Sequence, residues 1–486
     1  MMTGEFKRGW SVVMSAAVGI GLGLSPLPFY TIGVFVSPLA AEFGWSVSDV
    51  FLALPIYTFG VLFMSPIVGL LSDRFGVRRV AIVSVFLFSI TMMAQSLNTG
   101  SKTLYAVLWM LMAVKGAGTL PITFTRAVNN WFFAGRGLAL GIALVMTGMF
   151  GALSKIFAQQ VITHYDWRTA YIAVGALPLL IALPLIIAGF RDVTDKPAAE
   201  SLGAKLKTPL SLVSIAAALG FVYVIYQFLA PKVAEFGWRL EYITTTLFAV
   251  LALLVVFGFG LGRVKGTTAA LTSSEKVTAL SGLSLKEAIK DWRYWLLAVA
   301  FVPISFALGR PIPNLELILK SKGFTADDAV GLAGLIGFAV ICGRILGGYL
   351  IDKFWAPAVA IVFLASPAIA LMLFTSPDLS REAAMISIFM IGFGAGVEYD
   401  FMAYLVSRYF GMKSYGAIYG SLYGFFAVGA GFGPVIISNW YHQHGSFDGI
   451  FPIAAGVLVA GSLMLPLLGK YRNFSAPSPE GDAGQK

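Results

Sequence analysis

A few ionisable side chains stand where ionisable side chains are costly. Lys115, Arg126, Lys155, Arg310, Arg344, Glu398 and Asp400 each fall inside a long apolar run. A charge at the centre of a bilayer costs roughly 2.5–3.5 kcal/mol on insertion scales, so such residues are kept where they face water, a ligand or each other. Bases there attract anions. Acids there can carry protons, because burial raises a carboxyl pKa toward the physiological range. Lys115 and Arg310 lie deep in their runs and suit a ligand path. Arg310 sits beside Pro311 and Pro313, and broken helices whose backbone groups need partners come to line sites. Arg344 lies about two turns before Asp352, which suits either binding or a structural tether. Arg126 lies near the end of its run, where snorkelling to water is the competing role. Lys155 lies past the middle of its run. Glu398 and Asp400 are separated by one residue, which turns them about 200° apart on a helix. One can then titrate at a cavity while the other holds a neighbouring helix; a purely structural hydrogen-bonded pair is the alternative. Tyr30, Tyr399, Tyr404, Tyr419, Asn129 and Asn314 add hydroxyl and amide groups that orient a ligand or simply pack.

A second constellation lies at the ends of the runs. The loop Gly69-Leu70-Leu71-Ser72-Asp73-Arg74-Phe75-Gly76-Val77-Arg78-Arg79 packs an acid, three arginines and two glycines between two membrane-length segments. It suits a charge clamp between helix ends at the water boundary, or an ordinary flank whose arginines hold the loop in the cytoplasm. A weaker echo, Gly347-Gly348-Tyr349-Leu350-Ile351-Asp352-Lys353-Phe354, occurs in the second half.

These residues need elements to hold them, and composition says which. Of 486 residues, 58% are hydrophobic and only 12% charged, against roughly 25% charged in soluble domains. Long uninterrupted apolar runs leave helices as the spanning structure, and the alternation of barrel strands is absent. The net charge of +10 does not imply nucleic acid here. The lysines and arginines concentrate in alternate loops, a positive-inside bias that puts both termini in the cytoplasm. The single cysteine, Cys342, lies mid-span and excludes an intrachain disulfide. The first run is too long for a signal core and reads as a span.

Residues 1–190 divide into six spans, the first interrupted at Ser25-Pro26-Leu27-Pro28, the fourth running over 103–128. Residues 191–290 form a cytoplasmic linker, but 209–262 within it read as an extra transmembrane hairpin. Its turn, Pro231-Lys232-Val233-Ala234-Glu235-Phe236-Gly237-Trp238, shares six of eight positions with Pro38-Leu39-Ala40-Ala41-Glu42-Phe43-Gly44-Trp45. The linker's end, from Ser284 to Trp292, has capping and amphipathic features. Residues 291–470 give six more spans, about fourteen in all, and 471–486 a disordered tail. His164, His442 and His444 all fall in outer loops. No metal-ligand cluster, phosphate loop or nucleophile motif is present, so no metal, cofactor or enzymatic role is expected.

The glycine-rich loop and its echo resemble the helix 2–3 signature of the major facilitator superfamily and its second-half copy. Gly9-Trp10, Trp131-Phe132 with Arg136-Gly137-Leu138-Ala139, Gly141, Gly148 and Gly151, Trp167-Arg168 with Tyr171, and the stretch from Glu398 through Arg408-Tyr409-Phe410-Gly411 to Tyr419-Gly420 are similar to its monocarboxylate-porter-like bacterial branch. Gly343-Arg344 resembles the helix 8 position where carboxylate carriers place a substrate-facing arginine. In helix 1, where animal carriers place a lysine, the chain reads Phe29-Tyr30-Thr31. The resemblance implies an all-α fold of two six-helix bundles in the inner membrane, a monomer that takes up a small organic anion with protons. Taken with the charges inside the runs, it gives a ligand path of Lys115, Arg310, Arg344, Tyr30, Asn314 and Tyr399. Glu398 or Asp400 would carry the proton. Asp73, Arg74, Arg78, Arg126, Arg136, Asp352 and Lys353 would gate. The alternative is a proton-driven exporter of lipophilic compounds.

Overall fold

The computed structural model describes residues 2–191, 281–308, 311–325 and 335–474, with isolated positions between 220 and 227 and between 328 and 332. Apart from those isolated positions, the expected hairpin at 209–262 lies outside the described residues, as do Arg310 and the tail beyond 474. So does the full count of fourteen spans. The side chain of Asn314 is likewise outside them.

The first half runs α1 (Met2–Gly21), α2 (Leu27–Phe43), α3 (Val47–Phe51), α4 (Ala53–Phe75), α5 (Val77–Met93), α6 (Lys102–Gly116), α7 (Pro121–Trp131), α8 (Arg136–His164), α9 (Trp167–Leu177) and α10 (Leu183–Gly189). The second half runs α11 (Leu285–Lys290), α12 (Trp292–Leu308), α13 (Pro311–Ser321), α14 (Leu335–Lys353), α15 (Ala356–Ala365), α16 (Pro367–Leu373), α17 (Arg381–Tyr409), α18 (Tyr415–His444) and α19 (Ile450–Met464). Among the described residues, nine helical stretches are long and apolar enough to cross a membrane, and Leu27–Phe43 and Trp292–Leu308 are shorter apolar helices. No strand occurs among the described residues.

The interruption expected in the first span separates α1 from α2. The fourth span, read from sequence as continuous, is also broken, between α6 and α7. The two breaks meet. Leu24 N–H donates to Thr119 Oγ1 at 2.8 Å, the Thr119 hydroxyl donates to Gly116 O at 2.8 Å, and Tyr57 Oη donates to Leu24 O at 3.0 Å. Thr119 of the second break and Tyr57 of α4 thus supply partners for backbone groups that lipid cannot satisfy. Proline at the first position of α7 adds no orphan donor, which lets the helix restart there. The capping expected at Ser284 is present. Ser284 N–H donates to Glu287 at 2.7 Å and the Ser284 hydroxyl accepts from Glu287 N–H.

The halves meet along two helix pairs, α4 with α18 and α8 with α14. Glycine makes both approaches possible. A methyl group on Gly69 would overlap the carbonyl of Gly416, and one on Gly137 would overlap that of Gly348. Both close contacts lie at one end of the bundle, here called the terminal face, because the start of α1 and residues 469–474 pack there. Glu5 accepts from the N–H groups of Phe133, Ala134 and Gly135, and Tyr471 Oη accepts from Ala356 N–H at 2.8 Å.

Candidate functional site

Between the halves lies a cavity of about 140 Å³. The α1–α2 break brings Ser25, Pro26, Phe29 and Tyr30 to it, and α4 brings Tyr57 and Thr58. The helix α8 adds Thr147, α14 adds Arg344, α17 adds Glu398 and Tyr399, and α18 adds Tyr423 and Phe426. Its polar centre is Arg344, 3% exposed and paired with fully buried Asp400 at 2.9 Å. The same guanidinium donates across the seam to Thr147 Oγ1 at 3.0 Å and stands 5.9 Å from the Tyr399 ring centroid. Glu398 faces the cavity with 5% exposure, and its Oε2 has no hydrogen-bond partner among the described residues. A charge this deep is tolerated when paired, and the pair here sits on two helices of one half, α14 and α17.

The structure therefore gathers Arg344, Tyr30, Tyr399 and Glu398 around one cavity. Asp400 stands behind, where the half-turn separation from Glu398 aims it at α14 instead. Lys115 is a correction. It lies on the exposed face of α6 and does not line the cavity. Depth along a span does not say which way a side chain turns. Lys155 is also exposed. Thr147, Tyr57, Tyr423 and Phe426 escaped the sequence reading. Tyr415, Tyr419 and Tyr423 repeat at helical spacing, a stripe that marks one face of α18; Thr147, one polar side chain among the glycines of α8, carries no such signal.

At the terminal face two aspartates each reach into the opposite half. Asp73, at the end of α4, accepts from Gly416 N–H at 3.1 Å and Ala417 N–H at 2.9 Å, at the start of α18. It is also paired with Arg126 of α7. Asp352, at the end of α14, accepts from Gly137 N–H at 2.7 Å and Leu138 N–H at 3.0 Å, at the start of α8. A carboxylate at a helix N-terminus meets free N–H groups and the positive end of the dipole. The base expected beside Asp73 thus comes from α7. The loop's own Arg74 and, in the echo, Lys353 are exposed and stay outside these contacts. Arg78 donates to Ile187 O at 2.6 Å. Arg136 is buried and donates to Phe132 O, Asn129 O and Ser407 Oγ, the last across the seam at 3.0 Å.

A family model described as Major Facilitator Superfamily matches residues 18–264 and again 204–434. The chain belongs to the Major Facilitator Superfamily. Monocarboxylate transporter 13 of Bos taurus is 27% identical over 248 residues, 47% of this chain and 55% of that protein. Its counterpart from Rattus norvegicus is 26% identical over 363 residues, 71% of this chain and 82% of that protein. The chain spans about half the length of the first curated relatives it matches, 55% of the bovine protein and 50% of human monocarboxylate transporter 11. Among solved structures, the human organic anion transporter MFSD10 (TETRAN) superposes with a TM-score of 0.61 at 14% identity, over 95% of this chain and 99% of that one. A variant of the E. coli fucose:proton symporter FucP gives 0.55 at 13%, over 95% and 98%. At these identities the likeness carries the fold. The superfamily fold and its membrane-length helices make this a multi-pass membrane protein, and the relatives and solved structures named are transporters, not enzymes.

Proposed function

We propose that this superfamily member is a secondary transporter that moves a small organic anion together with a proton, by alternating exposure of its central cavity. The observation that carries the reading is the buried Arg344, bound to Asp400 in its own half and to Thr147 in the other. An entering carboxylate competes with Asp400 for the guanidinium, whose planar fork matches it. A proton arriving on Asp400 releases Arg344 to the substrate, and Glu398, facing the cavity, is the further proton acceptor. Because Arg344 also reaches Thr147, a change of partner there bears on how the halves hold together. The names of the relatives, monocarboxylate transporters and an organic anion transporter, support the anion. The charge bias of the loops supports both termini in the cytoplasm, and the family resemblance supports an inner-membrane location. Uptake by a monomer follows the family resemblance, and Arg310 stays with the proposed ligand path.

The test is uptake into proteoliposomes under an imposed pH gradient, preceded by a thermal-shift screen of small carboxylates at two pH values. A ligand that binds the folded state raises its apparent stability. Arg344→Ala is expected to abolish anion uptake, and Glu398→Gln to lose gradient-driven accumulation while keeping exchange. The aromatic wall of Phe29, Tyr57, Tyr423 and Phe426 favours a second reading, export of lipophilic compounds. If lipophilic cations and no carboxylate raise the melting temperature, that reading replaces the first.

A further inference from the structure

A second cavity, of about 150 Å³, lies at the terminal face and belongs to neither aspartate contact. Phe133 and Arg136 line it from the first half, Ser407 and Arg408 from the end of α17, and Arg472 from the segment after α19. Three arginines therefore line it, Arg136 with its guanidinium already held by Phe132 O, Asn129 O and Ser407 Oγ, and no lining residue is an acid. Of the nearby acids, Asp291 pairs with Arg472 of the lining itself, whereas Asp352 accepts from α8 and Glu5 from residues 133–135. Neither Arg136 nor Arg408 makes an ion pair among the described residues. Arg408 is partly buried and stands 4.4 Å from the Tyr471 ring centroid, and its Nε is buried without a hydrogen-bond partner. Stacking of this kind holds a guanidinium plane in place while leaving N–H groups for an oxyanion.

The wall is itself pinned. Leu283 N–H donates to Phe410 O and Met412 N–H to Ser281 O, both at 2.8 Å, which ties the linker's end to the turn after α17. The left-handed Gly411, at φ 78°, allows that turn. The cavity is thus a built basic recess shared by both halves, the linker and the C-terminal segment.

We propose that this recess binds a phosphate-type oxyanion, supplied either by a phospholipid headgroup or by a soluble phosphate, and that the bound anion staples the two halves at the terminal face. Arg136 and Phe133 lie on one side of the seam and Arg408 and Ser407 on the other, so occupancy opposes their separation. A transporter that must open this face would then slow as the site fills.

The experiment uses the full chain in nanodiscs of phosphatidylcholine alone or with added phosphatidylglycerol. Melting temperature is read with and without inorganic phosphate, at constant ionic strength with chloride as control. The expected result is a saturable rise, from phosphate in neutral discs if the soluble source serves, or from phosphatidylglycerol without phosphate if the lipid does. Apparent affinity should fall at least tenfold in Arg408→Gln and also in Arg472→Gln. It should be unchanged in Arg344→Ala, which separates this site from the central one. No rise from either source, or a rise that both glutamine variants keep, overturns the proposal. So does a rise seen only after deletion of 475–486, because Glu480 or Asp482 of the chain itself would then be the occupant.

Discussion

The two aspartate contacts of the terminal face are near copies with different electrostatics. Asp73 and Asp352 each end a helix of one half and accept two backbone N–H groups at the start of a helix of the other. Asp73 also holds Arg126, an arginine 7% exposed in its side chain. Asp352 has no ion pair among the described residues and rests on amides alone; beside it, Glu5 takes the next amides of the same turn. The first contact is therefore a three-part assembly of carboxylate, guanidinium and helix end, whereas the second is a helix cap shared by two acids. The comparison teaches that a repeated acid does not imply a repeated charge pair. The cost of breaking each contact should differ accordingly.

The largest effect is expected from Asp73→Asn. It removes the carboxylate paired with Arg126, and removing one partner of a buried pair typically costs roughly 3–5 kcal/mol. Spin labels on cysteines replacing exposed Arg79 and Lys413, in a background without Cys342, should report separation of the α4–α5 turn from the start of α18. A distance distribution unchanged from the parent would make the ion pair dispensable. Next comes Gly69→Ala, whose methyl group meets a backbone carbonyl that cannot turn aside; overpacking of this sort costs about 1–3 kcal/mol. The same labels should move, and melting temperature should fall, even with Asp73 intact. Asp352→Asn strands no base, so it should weaken its contact by about 0.5–2 kcal/mol, the range for loss of a helix cap. Labels replacing Lys353 and Ala134 should shift less than the first pair does in Asp73→Asn. Equal shifts would erase the proposed asymmetry. Glu5→Gln should be smallest, about 0.3–1 kcal/mol, as for a charge at a helix end. Because the two acids share one turn, its effect should change once Asp352 is also asparagine. Strict additivity would instead mean independent sites, and the double variant decides that by comparing its shift with the sum of the singles.

Much of this was legible in the chain. Composition required helices, the proline pair in the first span placed its break, and the single-residue spacing of Glu398 and Asp400 required that they face different ways. The second break, between α6 and α7, was not legible, because its signal is one Gly-Ala-Gly stretch before Pro121 in a run that otherwise reads as continuous helix. Lys115 and Arg344 show the same limit from the site's side. Both are lone bases in apolar helices, yet one turns out of the bundle and the other into the cavity.

Sequence alone determined that this chain crosses a membrane and that a few charges must be sheltered within it. Those are consequences of hydropathy, periodicity and the penalty on isolated charge, which act along the chain. Only the tertiary structure decided the pairings: Arg126 with Asp73, Asp400 with Arg344, Arg344 with Thr147, and the basic recess shared by Arg136, Arg408 and Arg472. Such contacts join helices far apart in sequence, and they depend on how each helix is rotated about its axis against its neighbours. In a helix apolar on nearly every side, little in the local sequence sets that rotation.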